Sequence, residues 1–258
     1  FTGCSVTQGP TSSGDSAPDR RLNPDTIADA VPKAEPRSRY GNMRSYEVLG
    51  KRYQVMPSAA GYREQGIASW YGTKFHGRRT SRGEPYDMYA MTAAHKSLPV
   101  PTYVQVRNLR NGRVTIVKVN DRGPFHANRI IDLSYAAATK LGILGSGTGL
   151  VEVTALDPRE PKPKVTAQRQ AASAPAAQSD PPDLFIQVGA FSNRLNADRM
   201  QQRLQRQLER PVQVQQSEHS GQALFRVRVG PLADVAQSDA VTRKLAQLGV
   251  ADLHVIIE

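Results

Sequence analysis

The chain has 258 residues, 39% of them hydrophobic, and a formal net charge of +11; that is enough for one large or two modest domains. No apolar run approaches the length of a membrane span, and the single cysteine excludes an internal disulfide. Residues 66–156 hold 12 Lys and Arg against 5 Asp and Glu, so +7 of the excess sits there, with no basic tract or nucleic-acid motif to suggest a nucleic-acid partner.

Residues 1–44 are rich in Ser, Thr, Gly, Pro, Asp and Arg and poor in large apolar side chains. They bury too little surface to offset their ordering entropy and read as a disordered tether. A globular unit follows over residues 45–156. Tyr46 to Val55 places two strand-like runs around a Gly50-Lys51 turn, the pattern of a small hairpin. Further short β-like runs cover Ile67 to Tyr71, Tyr89 to Thr92, Tyr103 to Asn108, Val114 to Asn120 and Val151 to Leu156. The third and fourth are predicted to pair as a hairpin through the turn ending at Gly112. A helix is predicted from Ser134 as N-cap to Gly142 as stop, and a short helical turn at Ala93-Ala94. Many short strands with little helix predict a small closed β-barrel.

Residues 157–183 form a Pro/Ala-rich linker. From Leu184 to Glu258 the order is strand, helix, two strands, helix, strand. The first helix spans Asn193 to Leu208, with Leu195, Met200, Leu204 and Leu208 on one side, and the second spans Ala233 to Leu248. This βαββαβ order predicts an α+β domain with both helices on one face of a four-stranded sheet and the other face open for binding.

Two resemblances rest on particular residues. Gly66-Ile67-Ala68-Ser69-Trp70-Tyr71-Gly72, Phe75 to Thr80, Gly83-Glu84-Pro85-Tyr86-Asp87, Met91 to Pro99 and Val119-Asn120-Asp121-Arg122-Gly123-Pro124 resemble the all-β double-psi β-barrel of the rare lipoprotein A family. Phe185 to Phe191 and Phe225 to Pro231 resemble a SPOR domain. Ser81-Arg82 departs from the Ala-Asn expected before Gly83-Glu84. At the start of the chain, Phe1-Thr2-Gly3-Cys4 resembles a bacterial lipobox, with Phe1 in place of the usual Leu; lipidation of Cys4 would give a membrane anchor, and a stray exposed cysteine is the plain alternative.

The family resemblance implies a lytic transglycosylase that breaks the bond between N-acetylmuramic acid and N-acetylglucosamine in peptide-free peptidoglycan and leaves a 1,6-anhydro end. It also implies attachment to the periplasmic face of the outer membrane, enrichment at the division septum, a role in daughter-cell separation and division-site proteins as candidate partners. A non-catalytic glycan-binding or structural septal protein is the alternative. Glycoside cleavage needs a carboxylic acid to protonate the leaving oxygen. Because the sugar's own C6 hydroxyl closes the ring, no second carboxylate has to activate water.

Asp121 is the first candidate for that acid/base, since it follows a buried-looking strand; otherwise it caps its turn or pairs with Arg122. Glu84 would assist it or orient the sugar, or be a solvated loop residue. His95 would hold a carboxylate or donate to substrate, or serve structure alone. Asp132 occupies the place where related double-psi barrels carry an essential aspartate, and its alternative role is helix capping beside Ser134. Trp70 and Tyr71 point to opposite faces of a regular strand, so at most one stacks on a sugar. In the C-terminal domain, Gln187, Arg226 and Arg228 are expected on the open face, with Phe191, Ser192 and Asn193 at the first strand–helix junction; the alternative is that the arginines are solvated and Phe191 is core. No metal site is expected from His76 or His95, and no cofactor motif is present.

Overall fold

A computed structural model describes residues 16–126, 128–159, 182–219, 222–250 and 253–258. Cys4 lies outside them. The described residues begin with a long irregular segment containing a 3-10 turn at Pro24–Thr26, followed by a hairpin of β1 (Ser45–Val48) and β2 (Lys51–Gln54). The barrel is built from β3 (Arg63–Tyr71), β4 (Thr92–His95), β5 (Thr102–Asn108), β6 (Val114–Asp121), β7 (Arg129–Ser134) and β8 (Thr148–Leu156), with helix α1 (Tyr135–Leu141) between the last two. It closes in the order β3-β7-β4-β6-β5-β8. The pairs β3/β7 and β4/β6 run parallel, and the remaining pairs are antiparallel. Its interior holds Val104, Val106, Val117, Val119, Ile131 and Leu133, all fully buried, each contributing about 1.5–3 kcal/mol. Ser134 accepts from Ala137 N–H and Gly142 takes the left-handed conformation, so α1 begins and ends as its sequence predicts.

Three details differ from expectation. The run expected over Tyr89 to Thr92 is strand only at Thr92, because Tyr89 to Met91 turn before β4 begins. Ala93-Ala94 is strand, not helical turn: β4 lies between β6 and β7, and sheet pairing on both sides overrides the alanines' helical preference. Residues 16–44 are not a free tether. They lie along the barrel, held mainly by backbone and acidic groups in place of apolar burial. Asp29 accepts from Ile116 N–H and Thr115 Oγ1 and pairs with Lys140. Ser38 N–H bonds Val100 O, and Asn42 bonds both Val100 N–H and Val100 O. Gly41, at φ +78°, is the close point, where a side chain would begin 2.9 Å from Ser81 O.

The second domain comprises β9 (Leu184–Phe191), α2 (Arg194–Gln205), β10 (Val212–His219), β11 (Gln222–Leu232), α3 (Val235–Gln247) and β12 (His254–Ile257). Its sheet order is β10-β11-β9-β12, as the βαββαβ pattern predicts. Leu204 and Leu208 of the predicted apolar side are buried, whereas Leu195, at the exposed start of α2, is 56% accessible. The two domains touch. Ile67 and Leu150 share a core cluster with the second domain's buried residues. Arg129 of β7 makes two parallel bonds to Asp239 of α3, 2.9 and 2.6 Å, and Asn128 Nδ2 donates to Thr242 Oγ1 at 2.5 Å.

Candidate active site

Two pairings of β4, one parallel and one antiparallel, bring distant carboxylates into one row. Ala94 of β4 is paired with Asp121 of β6 on one side and with Asp132 of β7 on the other. The β4/β6 register shifts between Ala93 and Ala94, skipping Asn120 and bringing Asp121 opposite Ala94. With neighbouring strands about 4.8 Å apart, the two aspartate backbones stand about 10 Å apart across a small residue. Gly123, at φ +143°, follows the Asp121 turn and leaves the gap open. A side chain there would begin 3.7 Å from Ala94 Cβ and 3.9 Å from Asp132 Oδ2.

Asp121 Oδ1 accepts from the backbone N–H groups of Ser81 and Arg122, both at 2.7 Å. It therefore does cap its turn, as the alternative role anticipated, and this fixes the plane of the carboxyl group. Among the described residues its Oδ2 makes no hydrogen bond. Asp132 Oδ1 accepts from Ser69 Oγ, its partner in the β3/β7 register; the helix cap is Ser134. Glu84 Oε1 accepts from Asn120 Nδ2 at 2.7 Å, and its Oε2 from Arg82 Nη1 at 3.2 Å. Glu84 thus stands on the Asp121 side of the row. Arg82 also donates to Glu35 at 2.6 Å, and Glu35 accepts from Lys118 and Tyr103. Burial alone would raise the Glu35 pKa, but the Lys118 and Tyr103 hydrogen bonds and the charges of Lys118 and Arg82 prevail and hold it at about 2.

His95 is placed differently from Glu84 and Asp121. Its Nδ1 accepts from Ser97 and Leu98 N–H, which puts the proton on Nε2; that group faces Tyr62 Oη at 2.8 Å, and Tyr62 donates to Glu64 Oε2 at 2.5 Å. The carboxylate it supports is Glu64, through Tyr62. Burial first, then the Arg122 and Lys96 charges, push the imidazole pKa down to about 3, so it is neutral at physiological pH. Arg122 is spent on structure: its guanidinium donates to the carbonyls of His95, Leu98 and Gly41.

Of the two aromatic residues on β3, Tyr71 is buried, with its ring stacked 4.0 Å from Tyr86. It is excluded as a stacking surface. Its hydroxyl pKa is raised by burial first, then by Tyr86 and the charges of Asp121 and Asp132, against the Thr92 side chain, which lowers it. Trp70 is half-buried against Tyr135. Among the described residues, no group of three or more His, Cys, Asp or Glu is arranged to hold a metal ion.

In the second domain, Gln213, Arg228, Gln187 and His254 form a row across the sheet, and Arg226 lies beside Ala190. Arg228 is not solvated: it is 8% accessible and ion-paired with Glu258. Phe191, at the strand–helix junction, takes the core alternative stated for it. The register shifts between Val227 and Arg228, and Phe191 then pairs with Phe225 and packs against the core. Asn193 spends its side-chain oxygen capping α2 through Leu195 N–H, while Ser192 is exposed.

Ser69, Asn120, Arg82, Tyr62, Glu64 and Glu35 were not anticipated as site residues. Ser69 and Asn120 lie inside the quoted motifs, but only the strand pairing shows what they touch; nothing local marks Glu35.

A family model described as lytic transglycolase matches residues 63–154, and one described as SPOR domain matches residues 180–255. An endolytic peptidoglycan transglycosylase RlpA of Pseudomonas aeruginosa is 40% identical over 277 residues, spanning 89% of this chain and 80% of the relative. The protein of that name from Vibrio cholerae is 55% identical over 155 residues, 59% of each chain. A crystal structure of the Pseudomonas aeruginosa RlpA SPOR domain aligns with a TM-score of 0.28 and 25% identity, covering 28% of this chain and 96% of that one. With a double-psi β-barrel followed by a SPOR domain, and relatives of this identity along most of its length, the chain belongs to the RlpA family of endolytic peptidoglycan transglycosylases.

Proposed function

We propose that this chain cleaves the bond between N-acetylmuramic acid and N-acetylglucosamine in peptidoglycan, leaving 1,6-anhydro ends. Its preferred substrate is glycan stripped of stem peptides at the division septum, reached from a lipid anchor on Cys4 in the outer membrane. The observation that carries the cleavage reading is the row Asp121, Ala94, Asp132, with Gly123 leaving the space between the carboxylates open.

In this scheme Asp121, held in orientation through Oδ1, gives a proton from Oδ2 to the glycosidic oxygen as the C1–O bond breaks. The C6 hydroxyl then closes on C1 and returns its proton to Asp121. General acid–base catalysis of this kind contributes about 10²–10⁴-fold. Asp132, oriented by Ser69, faces the developing oxocarbenium charge, and stabilisation of that charge supplies a further part of the acceleration. Glu84 holds Asn120, the residue before the acid. The barrel's +7 charge suits a polymer whose muramic acid carries a lactyl carboxylate, and the SPOR sheet, with Gln187 and Arg226 half-exposed, supplies the strand-binding surface.

The test is mass spectrometry of products from peptide-free glycan strands. The wild-type chain is expected to give anhydro-ended fragments and Asp121→Asn none, with glycan binding retained. If the wild-type chain binds but produces no anhydro ends, the protein is a non-catalytic glycan binder. If Asp121→Asn cleaves normally and Asp132→Asn does not, the acid is Asp132.

A further inference from the structure

With Tyr71 buried, β3 offers only the half-buried Trp70 for sugar stacking, but other rings lie on segments adjoining the turn of Asp121. Tyr46 and Tyr53, opposite each other in the β1–β2 hairpin, stack at 5.4 Å. Phe125 lies 5.6 Å from Tyr53 and 6.3 Å from Tyr46. Phe125 is four residues beyond Asp121 and, although a large apolar side chain, is 36% accessible. Beside Gly83, the neighbour of Glu84, Tyr40 is 57% accessible; a side chain on Gly83 would begin 3.8 Å from its ring, and the Arg79 guanidinium lies 6.0 Å from the ring centre on one face. The two groups are tied together behind the site. Arg122 bonds Gly41 O, next to Tyr40, and its guanidinium lies 5.9 Å from the Tyr46 ring. Tyr46 is anchored by its hydroxyl to Lys96 O at 2.7 Å.

A two-stranded hairpin is marginal on its own, and this one does not extend the barrel sheet. What it adds is a pair of rings beside the turn that carries Asp121. Tyr40, Tyr46 and Tyr53 all precede residue 63, where the match to the barrel family model begins.

We propose that Tyr53 with Phe125 on one flank, and Tyr40 on the other, are stacking subsites for pyranose rings on the two sides of the scissile bond. A pyranose has an apolar C–H face and a hydroxylated rim, which suits a neutral aromatic face with polar groups around it. An enzyme that cuts within a strand must hold sugars on both sides of the cut; Phe125 lies on the turn that follows the candidate acid, and Tyr40 lies against the loop whose Ser81 N–H holds Asp121 Oδ1. The occupant is therefore the glycan strand itself, an inference that rests on the cleavage reading above.

The test uses the full chain and peptide-free glycan oligosaccharides. In NMR spectra of the wild-type protein, ring protons of Tyr40, Tyr53 and Phe125 are expected to shift on adding glycan, while those of buried Tyr71 stay in place. In kinetics, Tyr53→Ala, Phe125→Ala and Tyr40→Ala are each expected to raise KM about three- to tenfold with kcat within about twofold, and Tyr53→Phe to restore KM. Unmoved rings, or unchanged KM in variants of an active enzyme, would overturn the subsites. If the wild-type chain shows ring shifts but yields no anhydro ends, the subsites stand and the cleavage reading falls.

Discussion

Glu35 offers a direct measure of how firmly the N-terminal segment is bound to the barrel. Its carboxylate accepts from Arg82, Lys118 and Tyr103 at 2.6–3.0 Å, and its pKa falls from 4.5 to about 2 despite burial. At about 1.36 kcal/mol per unit the full shift corresponds to about 3 kcal/mol. With the side chain 20% accessible, solvent screening reduces the expected loss in Glu35→Gln to about 1–2 kcal/mol at pH 7. A lowered carboxyl pKa stabilises the fold above the unfolded value of 4.5, and that contribution is lost as pH falls toward 2. The gap between wild type and Glu35→Gln should therefore shrink to less than half its pH 7 size by pH 3. Urea unfolding followed by the fluorescence of Trp70, the chain's one tryptophan, reports on the barrel alone. A gap of the same size at pH 7 and pH 3, or none at pH 7, would refute an ionised Glu35 clamp.

Two further outcomes are expected. His95, with its pKa at about 3, should stay neutral and Nε2-protonated in ¹⁵N NMR from pH 8 down to about pH 4; because the unfolded chain takes up that proton near 6.5, this burial weakens the fold as pH falls below 6.5. Protonation near pH 6 would contradict the Tyr62 arrangement. Asp239→Ala leaves Arg129, whose side chain is 7% accessible, without its bidentate partner. Loss of a buried ion-pair partner costs about 3–5 kcal/mol, here expressed as separation of the domains. Small-angle scattering should show a larger radius of gyration with barrel melting unchanged, and an unaltered profile would mean the apolar contacts suffice.

Much of the architecture was legible from local pattern. Alternation and turn chemistry gave the β5–β6 hairpin, the Ser134 and Gly142 ends of α1, and the βαββαβ order. The misses share a cause: they depend on groups far apart in the chain. Ala93-Ala94 has the composition of a helix and becomes strand only because β6 and β7 lie on either side. Phe191, at the strand–helix junction, takes the core alternative because a register shift in β11 pairs it with Phe225, and simple alternation does not anticipate that shift. Residues 16–44 lack apolar periodicity, so nothing local signals a segment held by Asp29, Glu35 and backbone carbonyls. The same holds at the site: Asp121, Asp132 and Glu84 were visible as candidates, but Ser69 meets Asp132 only through the parallel β3/β7 pairing.

The contact between α3 and β7 has a consequence for how the domains should be studied. Two surfaces joined by one chain meet at an effective concentration of order millimolar, and lengthening a connection such as 157–183 changes that slowly, by about 0.6 kcal/mol per doubling. An interface built, among the described residues, on the Arg129–Asp239 bidentate pair, Asn128 bonds to Thr242 and Asp239, an Arg110 bond to Ala233 O and a small apolar patch can thus remain closed in the intact protein with an intrinsic dissociation constant near millimolar. The same two domains, severed and mixed at micromolar concentration, would pass each other by, and their separate behaviour would say little about the joined molecule.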